Sequence, residues 1–333
     1  MPRPEDDLLH PRNDDPYWNE SSWIAFRIPE RGIGGMVYYY HRPNMAHSAG
    51  GPVLWDSSGS EIFDCLYWGW EMLQPLSPGA DMNTFTFENS LTVNLIEPLQ
   101  ELRIGYKRQE CELDLRWRAI MAPQEMKRRE SGELNPGISD WIDDAGSGSL
   151  SVGHWEQPGR MTGTARIGEE TFAVDCFSVR DHSWGPRAVR DMPRASFVWG
   201  IASEADHFAL SAVSDLPRDQ DPIDGTSEPV VAGWRMQDGV LGHFVSGRRT
   251  VTSRAADGRP LVTVIEAVDD QGREFRIEGR SQACLRWTGY SHVQVWWCVT
   301  EWHLGGDRFF GEVTDYWTFQ QNRQFMLRRA GER

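Results

Sequence analysis

Seven consecutive residues, Asp181-His182-Ser183-Trp184-Gly185-Pro186-Arg187, bring a carboxylate, an imidazole, a hydroxyl, an indole and a guanidinium to one strand end and turn. Asp181 can orient or charge His182, or pair with Arg187. Trp184 supplies an apolar wall, and Gly185-Pro186 fixes the turn. A carboxyl group whose pKa is raised by burial can act as a proton donor in a dry pocket, and indole faces can stabilise a cation. Asp181 and His182 are therefore catalytic candidates, with Trp184 and Arg187 as substrate-binding candidates. The competing reading of the same residues is a buried hydrogen-bonded network without chemistry.

Three further groups of residues fit a ligand site. His154 and Glu156 stand at i and i+2, so both point to one strand face, and Glu156 is a second carboxylate or base unless this is simply an exposed strand end. His292 to Leu304 reads HVQVWWCVTEWHL. Glu301 and His303 end one apolar face of it, as polar groups at a pocket mouth or floor would, and Trp302 lies on the other face. Glu301 is the third catalytic candidate; Trp302 and His303 are binding candidates. Trp70, within the aromatic run EIFDCLYWGWEM, can cover a barrel mouth or pack in a core.

Other chemistries lack their signatures. The nine histidines show no HxH or HExxH spacing and the cysteines no CxxC, so no metal is expected. GxGxxG, GxxxxGK[ST] and GxSxG are absent, so no nucleotide cofactor and no nucleophile elbow are expected.

The elements that must carry these residues are strands. Cys111, Leu113, Leu115, Trp117 and Ala119 alternate with Glu112, Asp114, Arg116 and Arg118, as on a half-buried antiparallel strand. Phe85/Phe87, Leu91/Val93/Leu95 and Leu102/Ile104/Tyr106 continue the pattern, with a turn at Asn89-Ser90. Thr162–Ile167 and Thr171–Ser178 read as a hairpin about Gly168-Glu169, and Leu261–Val268 pairs with Glu274–Gly279 around a Gly-containing loop. Pro123–Glu130 could form two helical turns; helices are otherwise nearly absent. Ser131–Ser149 and Arg218–Glu228 read as loops.

Composition sets the outer limits. A chain of 333 residues suits two domains, and interrupted strand pattern near 185–193 places them at 1–190 and 191–333. With 34 basic against 49 acidic residues and a net charge of −15, a nucleic-acid or anionic-membrane partner is not expected. Five scattered cysteines fit reduced thiols, and the polar N-terminus MPRPEDDLLHPRNDDPYW has no apolar core of a signal peptide, so a cytoplasmic location is expected. Sixteen tryptophans suit apolar cavity walls as well as a β core.

The stretch His154–Arg187, with HWEQ leading to RDHSWGPR, resembles the AttH-like and hydroxyneurosporene synthase (carotenoid 1,2-hydratase) superfamily, and is closest to its uncharacterised bacterial members. DPYWNESSW, PERGIGG and HRPN near the N-terminus resemble the same group. The resemblance implies an all-β fold of two lipocalin-like antiparallel barrel or sandwich domains packed side by side, with few short helices and a hydrophobic pocket. It also implies a cofactor-independent enzyme acting on an isoprenoid-like molecule by hydration or dehydration, isomerisation or cyclisation: a lyase, isomerase or cyclase. The alternative on the same fold is a non-catalytic carrier of a hydrophobic metabolite. The expected partner is thus a small hydrophobic molecule, with room for a homo-oligomer.

Overall fold

The structure, a computed structural model, describes residues 1–126, 152–187, 194–215, 225–290 and 292–331. The chain forms two compact units. The described residues of the first are 1–126 and 152–187, and those of the second lie from 194 onward. Both are antiparallel β, as alternation and turn chemistry require.

The first unit is one curled sheet. Its strands are β1 (Trp18–Ile28), β2 (Ile33–Arg42), β3 (His47–Trp55), β4 (Tyr67–Trp68), β5 (Glu71–Pro75), β6 (Thr84–Thr86), β7 (Thr92–Glu97), β8 (Glu101–Lys107), β9 (Cys111–Ala119), β10 (Gln124–Glu125), β11 (Gly153–Ile167) and β12 (Glu170–Pro186). They run in the order β4-β3-β2-β1-β12-β11-β9-β8-β7-β6, with β10 on β11 and β5 on β3. The predicted hairpin is β11–β12; its register runs unbroken from Ile167↔Glu170 to Gly153↔Trp184, and Gly168 takes the left-handed turn position at φ 60°. The predicted helix over Pro123–Glu130 is corrected where it is described: Gln124 and Glu125 pair with Glu156 and Trp155 of β11. Its remainder, and the loop read over Ser131–Ser149, lie outside the described residues.

One face of this sheet encloses an apolar core that includes Ile24, Phe26, Tyr39, Leu102, Ile104, Leu113, Leu115, Trp117, Met161, Phe172, Val174 and Cys176. The period of two on β12 then continues that face through Arg180, His182 and Trp184, while Asp181 and Ser183 fall on the opposite face. The opposite face is buried too: Trp23, Ala25, Met36, Tyr38 and Val53 all lie at 5% exposure or less. Because β1 is buried on both faces, its sequence WNESSWIAFRI shows no alternation.

The second unit closes. The strands β13 (Ala195–Ser203), β14 (Asp206–Val213), β15 (Ser227–Gln237), β16 (Val240–Arg254), β17 (Pro260–Asp269), β18 (Glu274–Tyr290), β19 (Val293–Leu304) and β20 (Asp307–Thr318) form a barrel sealed by β13 against β20. Ser227 and Glu228, read as loop from sequence, begin β15; residues 218–224 lie outside the described set. Trp296, Cys298 and Trp302 point into the barrel core. One end of the unit holds a buried ionic chain in which Glu228 bonds Arg194 (2.7 Å) and Arg249 (2.6 Å), and Asp315 bonds Arg249 (2.9 Å) and Arg254 (2.6 Å).

A helix not anticipated from the sequence, α1 (Phe319–Gly331), follows β20. Thr318 Oγ1 accepts the backbone N–H of Gln321 at 3.1 Å, and Gln321 Oε1 accepts that of Thr318 at 3.0 Å, a reciprocal capping box. No helix among the described residues is long and apolar enough to cross a membrane.

Candidate functional site

The ends of β1, β11 and β12 carry two separate clusters of ionisable groups, one on each face of the first unit's sheet. Their separation follows from the pleat: consecutive residues of β12 cannot share a face.

On the core-facing side, the N-terminal segment that precedes β1 crosses the strand ends. Asp7 is fully buried and meets Arg180 through two bonds of 3.0 Å. Its Oδ2 also accepts the Leu99 amide at 2.7 Å, and its Oδ1 accepts Asn83 Nδ2 at 2.7 Å. Gln157 Oε1 accepts Arg180 Nε at 3.1 Å and Nη2 at 2.9 Å. The guanidinium lies between two indoles, 4.6 Å from Trp117 and 4.9 Å from Trp155. Burial pushes Asp7 up, but the Arg180 charge and its hydrogen bonds outweigh this and hold it below the usual carboxylate range. This cluster is a paired structural clamp.

Beside it, Glu20 of β1 accepts from Trp18 Nε1 at 3.3 Å and from the His10 amide at 2.9 Å through Oε1. Its Oε2 lies 3.1 Å from His10 Nδ1 and 3.3 Å from His182 Nε2. The His10 ring stacks on Trp184 at 3.8 Å and an interplanar angle of 8°. Burial raises Glu20, yet hydrogen bonds from His10 and His182 prevail and bring it down to about 2. The carboxylate partner of His182 is thus Glu20. The sequence pairing of Asp181 with His182 is corrected, since neighbouring side chains on a strand diverge.

On the other face, Glu156 of β11 stands directly opposite Asp181 of β12, and His154 opposite Ser183. His154 Nδ1 is 2.6 Å from Ser183 Oγ, and its Nε2 is 3.1 Å from Glu156 Oε1. One donor atom from each of His154, Glu156 and Asp181 lies within 4.8 Å of the others. Glu156 is 2% exposed, and its Oε2 has no hydrogen-bond partner among the described residues. Burial, then the neighbouring Asp181 charge, raises Glu156 well above the ordinary carboxylate value and so favours its neutral form. Burial also lifts Asp181 to about 7, against the pull of the Trp23 amide (2.6 Å to Oδ1) and the Arg187 and Arg180 charges. Burial and the Arg187 charge lower His154 to about 3, leaving it neutral.

The same face carries aromatic side chains. Trp23 pairs with Tyr38 across β1–β2. Trp70 stacks on Tyr38 at 5.1 Å and 9°, and lies 5.8 Å from Tyr40. Arg187 donates from Nη1 to Ser21 Oγ at 2.9 Å and to Tyr38 Oη at 3.4 Å. Asp181, Arg187, His154, Glu156 and Trp70 are therefore brought to one sheet, while His182 and Trp184 occupy its core face.

Glu301, Trp302 and His303 belong to the barrel unit. Trp302 fills the barrel interior and donates Nε1–H to Trp199 O at 3.0 Å. Glu301 and His303 point away from that interior; His303 Nε2 lies 3.0 Å from Glu301 Oε1 with the His303 side chain 41% exposed, and Arg308 approaches Glu301 at 3.8 Å. One open cavity of about 480 Å³ lies elsewhere, lined by Glu30, Arg31, Glu170, Thr171 and Phe172 at the opposite end of β12. Eleven residues from Glu170 to Asp181 at strand rise make that roughly 35 Å from the carboxylate pair.

The residues missed from sequence are Asp7, His10 and Glu20. Glu20 lies in a strand without alternation, and Asp7 and His10 lie in a stretch whose polar composition reads as solvated. Nothing local marks them.

These features define a two-unit lipocalin-like β protein with a buried acid pair at the ends of neighbouring strands. The same two-unit fold recurs in solved structures of low sequence identity. It is similar to an AttH-like protein, NE1406, from Nitrosomonas europaea (12% identity, 95% of this chain and 96% of that one, TM-score 0.62). It is also similar to kievitone hydratase from Nectria haematococca (10% identity, 91% and 90% covered, TM-score 0.56) and to CghA solved with Sch210972 (10% identity, 91% and 89% covered, TM-score 0.51). No curated protein matches the chain. Over residues 3–311 the chain matches the model of a domain family of unknown function, DUF7064, and it belongs to that family.

Proposed function

We propose that the protein is an acid–base enzyme that hydrates, dehydrates, isomerises or cyclises a hydrophobic, isoprenoid-like small molecule, with Glu156 as proton donor and Asp181 as base. The observation that carries this is Glu156 Oε2: a buried carboxyl oxygen without a partner among the described residues, in a group held protonated, opposite a second carboxylate poised at about 7. Pairs of carboxyls whose surroundings separate their pKa values divide into acid and base. The fold neighbours, one of them named a hydratase, support the same reaction class.

In the hydration direction, Glu156 gives its proton to one alkene carbon, forming a C–H bond and leaving a carbocation on the other. A water oxygen forms the C–O bond there, and Asp181 takes the water's proton. Return of that proton across the strand pair to Glu156 restores both groups, so alkene and water become alcohol. If His154 donates Nε2–H to Glu156 Oε1 and accepts from Ser183 Oγ, the acid proton sits on Oε2. Trp23, Tyr38, Tyr40 and Trp70, on the same face, supply π surface for the cation. Arg187 limits the rise of Asp181 and so keeps part of it ionised near neutrality. His182 lies on the opposite face and has no proton-transfer role in this scheme, and Glu301, in the barrel unit, has none either. The five free cysteines, four of them buried, favour a reducing, cytoplasmic setting.

The experiment is incubation of the full chain with a panel of prenylated aromatics and linear isoprenoids in D₂O, with mass detection of hydrated or deuterium-exchanged product. Turnover by the native chain, lost in both Glu156→Gln and Asp181→Asn while folding is retained, is the expected result. Turnover that survives both substitutions overturns the assignment. Saturable binding that quenches tryptophan fluorescence with no deuterium exchange makes the protein a carrier.

A further inference from the structure

Three donors of the first unit converge on one point that the proposed acid–base pair does not use. Glu20 Oε2 is 3.1 Å from His10 Nδ1 and 3.3 Å from His182 Nε2, and one donor atom of each residue lies within 4.8 Å of the other two. Zinc bonds of about 2.0–2.2 Å at tetrahedral angles set neighbouring donors roughly 3.3–3.6 Å apart; the Glu20–His182 contact of 3.3 Å falls at that spacing and the Glu20–His10 contact of 3.1 Å is slightly shorter.

The nitrogens that face away from Glu20 decide what the facing ones offer. His182 Nδ1 is 3.0 Å from the backbone carbonyl of Asp6, an acceptor only, so Nδ1 carries a proton. Nε2 is then the nitrogen left to face Glu20 Oε2, where a shared cation can take both as ligands. His10 repeats the pattern: its Nε2 is 3.6 Å from Asp6 Oδ1, beyond a good hydrogen bond but on the side of a carboxylate, while Nδ1 turns to Glu20. A ring that gives its outer N–H to a carbonyl or carboxylate and its inner lone pair to a shared centre is the outer-shell arrangement of metal-bound histidine. The His10 ring is further fixed by stacking on Trp184, and Glu20 Oε1 by Trp18 and the His10 amide.

We propose that His10 Nδ1, Glu20 Oε2 and His182 Nε2 form a binding site for a divalent transition metal of the zinc type. Two imidazoles with one carboxylate suit zinc and its neighbours, and the small number of hard oxygens disfavours calcium and magnesium. The sequence shows no spacing motif for it because His182 lies 162 residues beyond Glu20, on a segment that only the sheet joins to it. The site lies on the face opposite Glu156 and Asp181, so it is independent of the acid–base reading. By holding His10 it also ties the N-terminal segment to β1 and β12.

The test uses the full chain, stripped with chelator and titrated with Zn²⁺ by calorimetry and with Co²⁺ by visible absorption. One equivalent of Zn²⁺ and an intense tetrahedral Co²⁺ spectrum are expected. His10→Phe keeps the ring stack on Trp184 and removes one ligand from a segment outside the strands, so it is the variant least prone to disturb folding. It is expected to weaken Zn²⁺ binding by at least about 100-fold, the upper end of what loss of an outer-shell partner costs. Glu156→Gln and His303→Ala are expected to leave binding unchanged. Absence of stoichiometric Zn²⁺ and Co²⁺ binding overturns the proposal. So does binding that His10→Phe leaves intact, or binding that Glu156→Gln abolishes, which would move the metal to the other face.

Discussion

Glu156 and Asp181 face each other across the β11–β12 ladder, one carboxyl raised well above the usual carboxylate range and the other lifted to about 7 by burial. Two acids in register on adjacent strands repel when both are ionised, and the fold answers by keeping one of them neutral.

A bell-shaped pH dependence of kcat/KM is therefore expected. The acidic limb rises as Asp181 loses its proton near pH 7, and the alkaline limb falls as Glu156 loses its own at higher pH. Asp181→Asn should remove the acidic limb and lower turnover about 10²–10⁴-fold, the usual worth of general acid–base catalysis. A profile whose acidic limb survives in Asp181→Asn assigns that limb to another group.

Stability should respond to the same group with the opposite sense to ordinary acid unfolding. The Asp181 pKa is higher in the folded chain than in the unfolded chain, so the folded state holds the extra proton between about pH 4 and 7. Stability from this group is full below that window and is lost as pH rises through it, by up to about 4 kcal/mol for a shift of roughly three units. Denaturation midpoints at pH 5, 6, 7 and 8 read the slope. Asp181→Asn keeps the acceptor for the Trp23 amide and should flatten it; an unchanged slope would locate the linkage elsewhere.

Glu20 acts in the ordinary direction. Its pKa in the fold is about 2, below the unfolded value of about 4.5, so its contribution is complete above pH 4.5 and fades as pH falls toward 2. Glu20→Gln should lessen acid sensitivity in that range, measured by intrinsic fluorescence during acid titration.

Loss of one half of the buried clamp should be costly. Asp7→Asn leaves the Arg180 guanidinium buried without its counter-charge, at a cost of about 3–5 kcal/mol. Pairing it with Arg180→Met should restore part of the loss, because the lone buried charge is then gone. A double variant no more stable than Asp7→Asn alone would show that the two residues do not compensate.

Gly153 offers a separate lever on the core-face cluster. A Cβ there would sit 2.0 Å from the Trp184 ring, so Gly153→Ala must displace the indole on which His10 stacks. A destabilisation of about 1–3 kcal/mol and a change in His10 ring shifts by NMR are expected.

Much of this architecture was legible. Alternation from Cys111 to Ala119 and the Gly168 turn place β9, β11 and β12, and the i, i+2 spacing of His154 and Glu156 does put both on one face, where they bond. The capping pair Thr318–Gln321 was also written in the sequence, yet weak amphipathicity, with only Gln321 and Phe325 of α1 buried, obscured the helix. What could not be read is which residues distant in sequence meet. Asp181 and His182 are adjacent in the chain and separated by the thickness of a sheet, whereas His182 and Glu20 touch because β1 pairs with β12. Glu301 and His303 followed the alternation as read, but alternation alone does not tell which face of a barrel strand is the inside. Trp302 takes the inside.

The anchoring of Asp7 has a bearing on biosynthesis. Its side chain meets Leu99 across 92 residues and Arg180 across 173. Such non-local closures are slow, since the chain entropy is lost before the contact rewards it. During translation the first hundred residues can assemble local hairpins, but their leading segment has no counter-ion until β12 has emerged. The early nascent chain thus holds a half-built, open-edged sheet, the stage at which assistance by chaperones matters most.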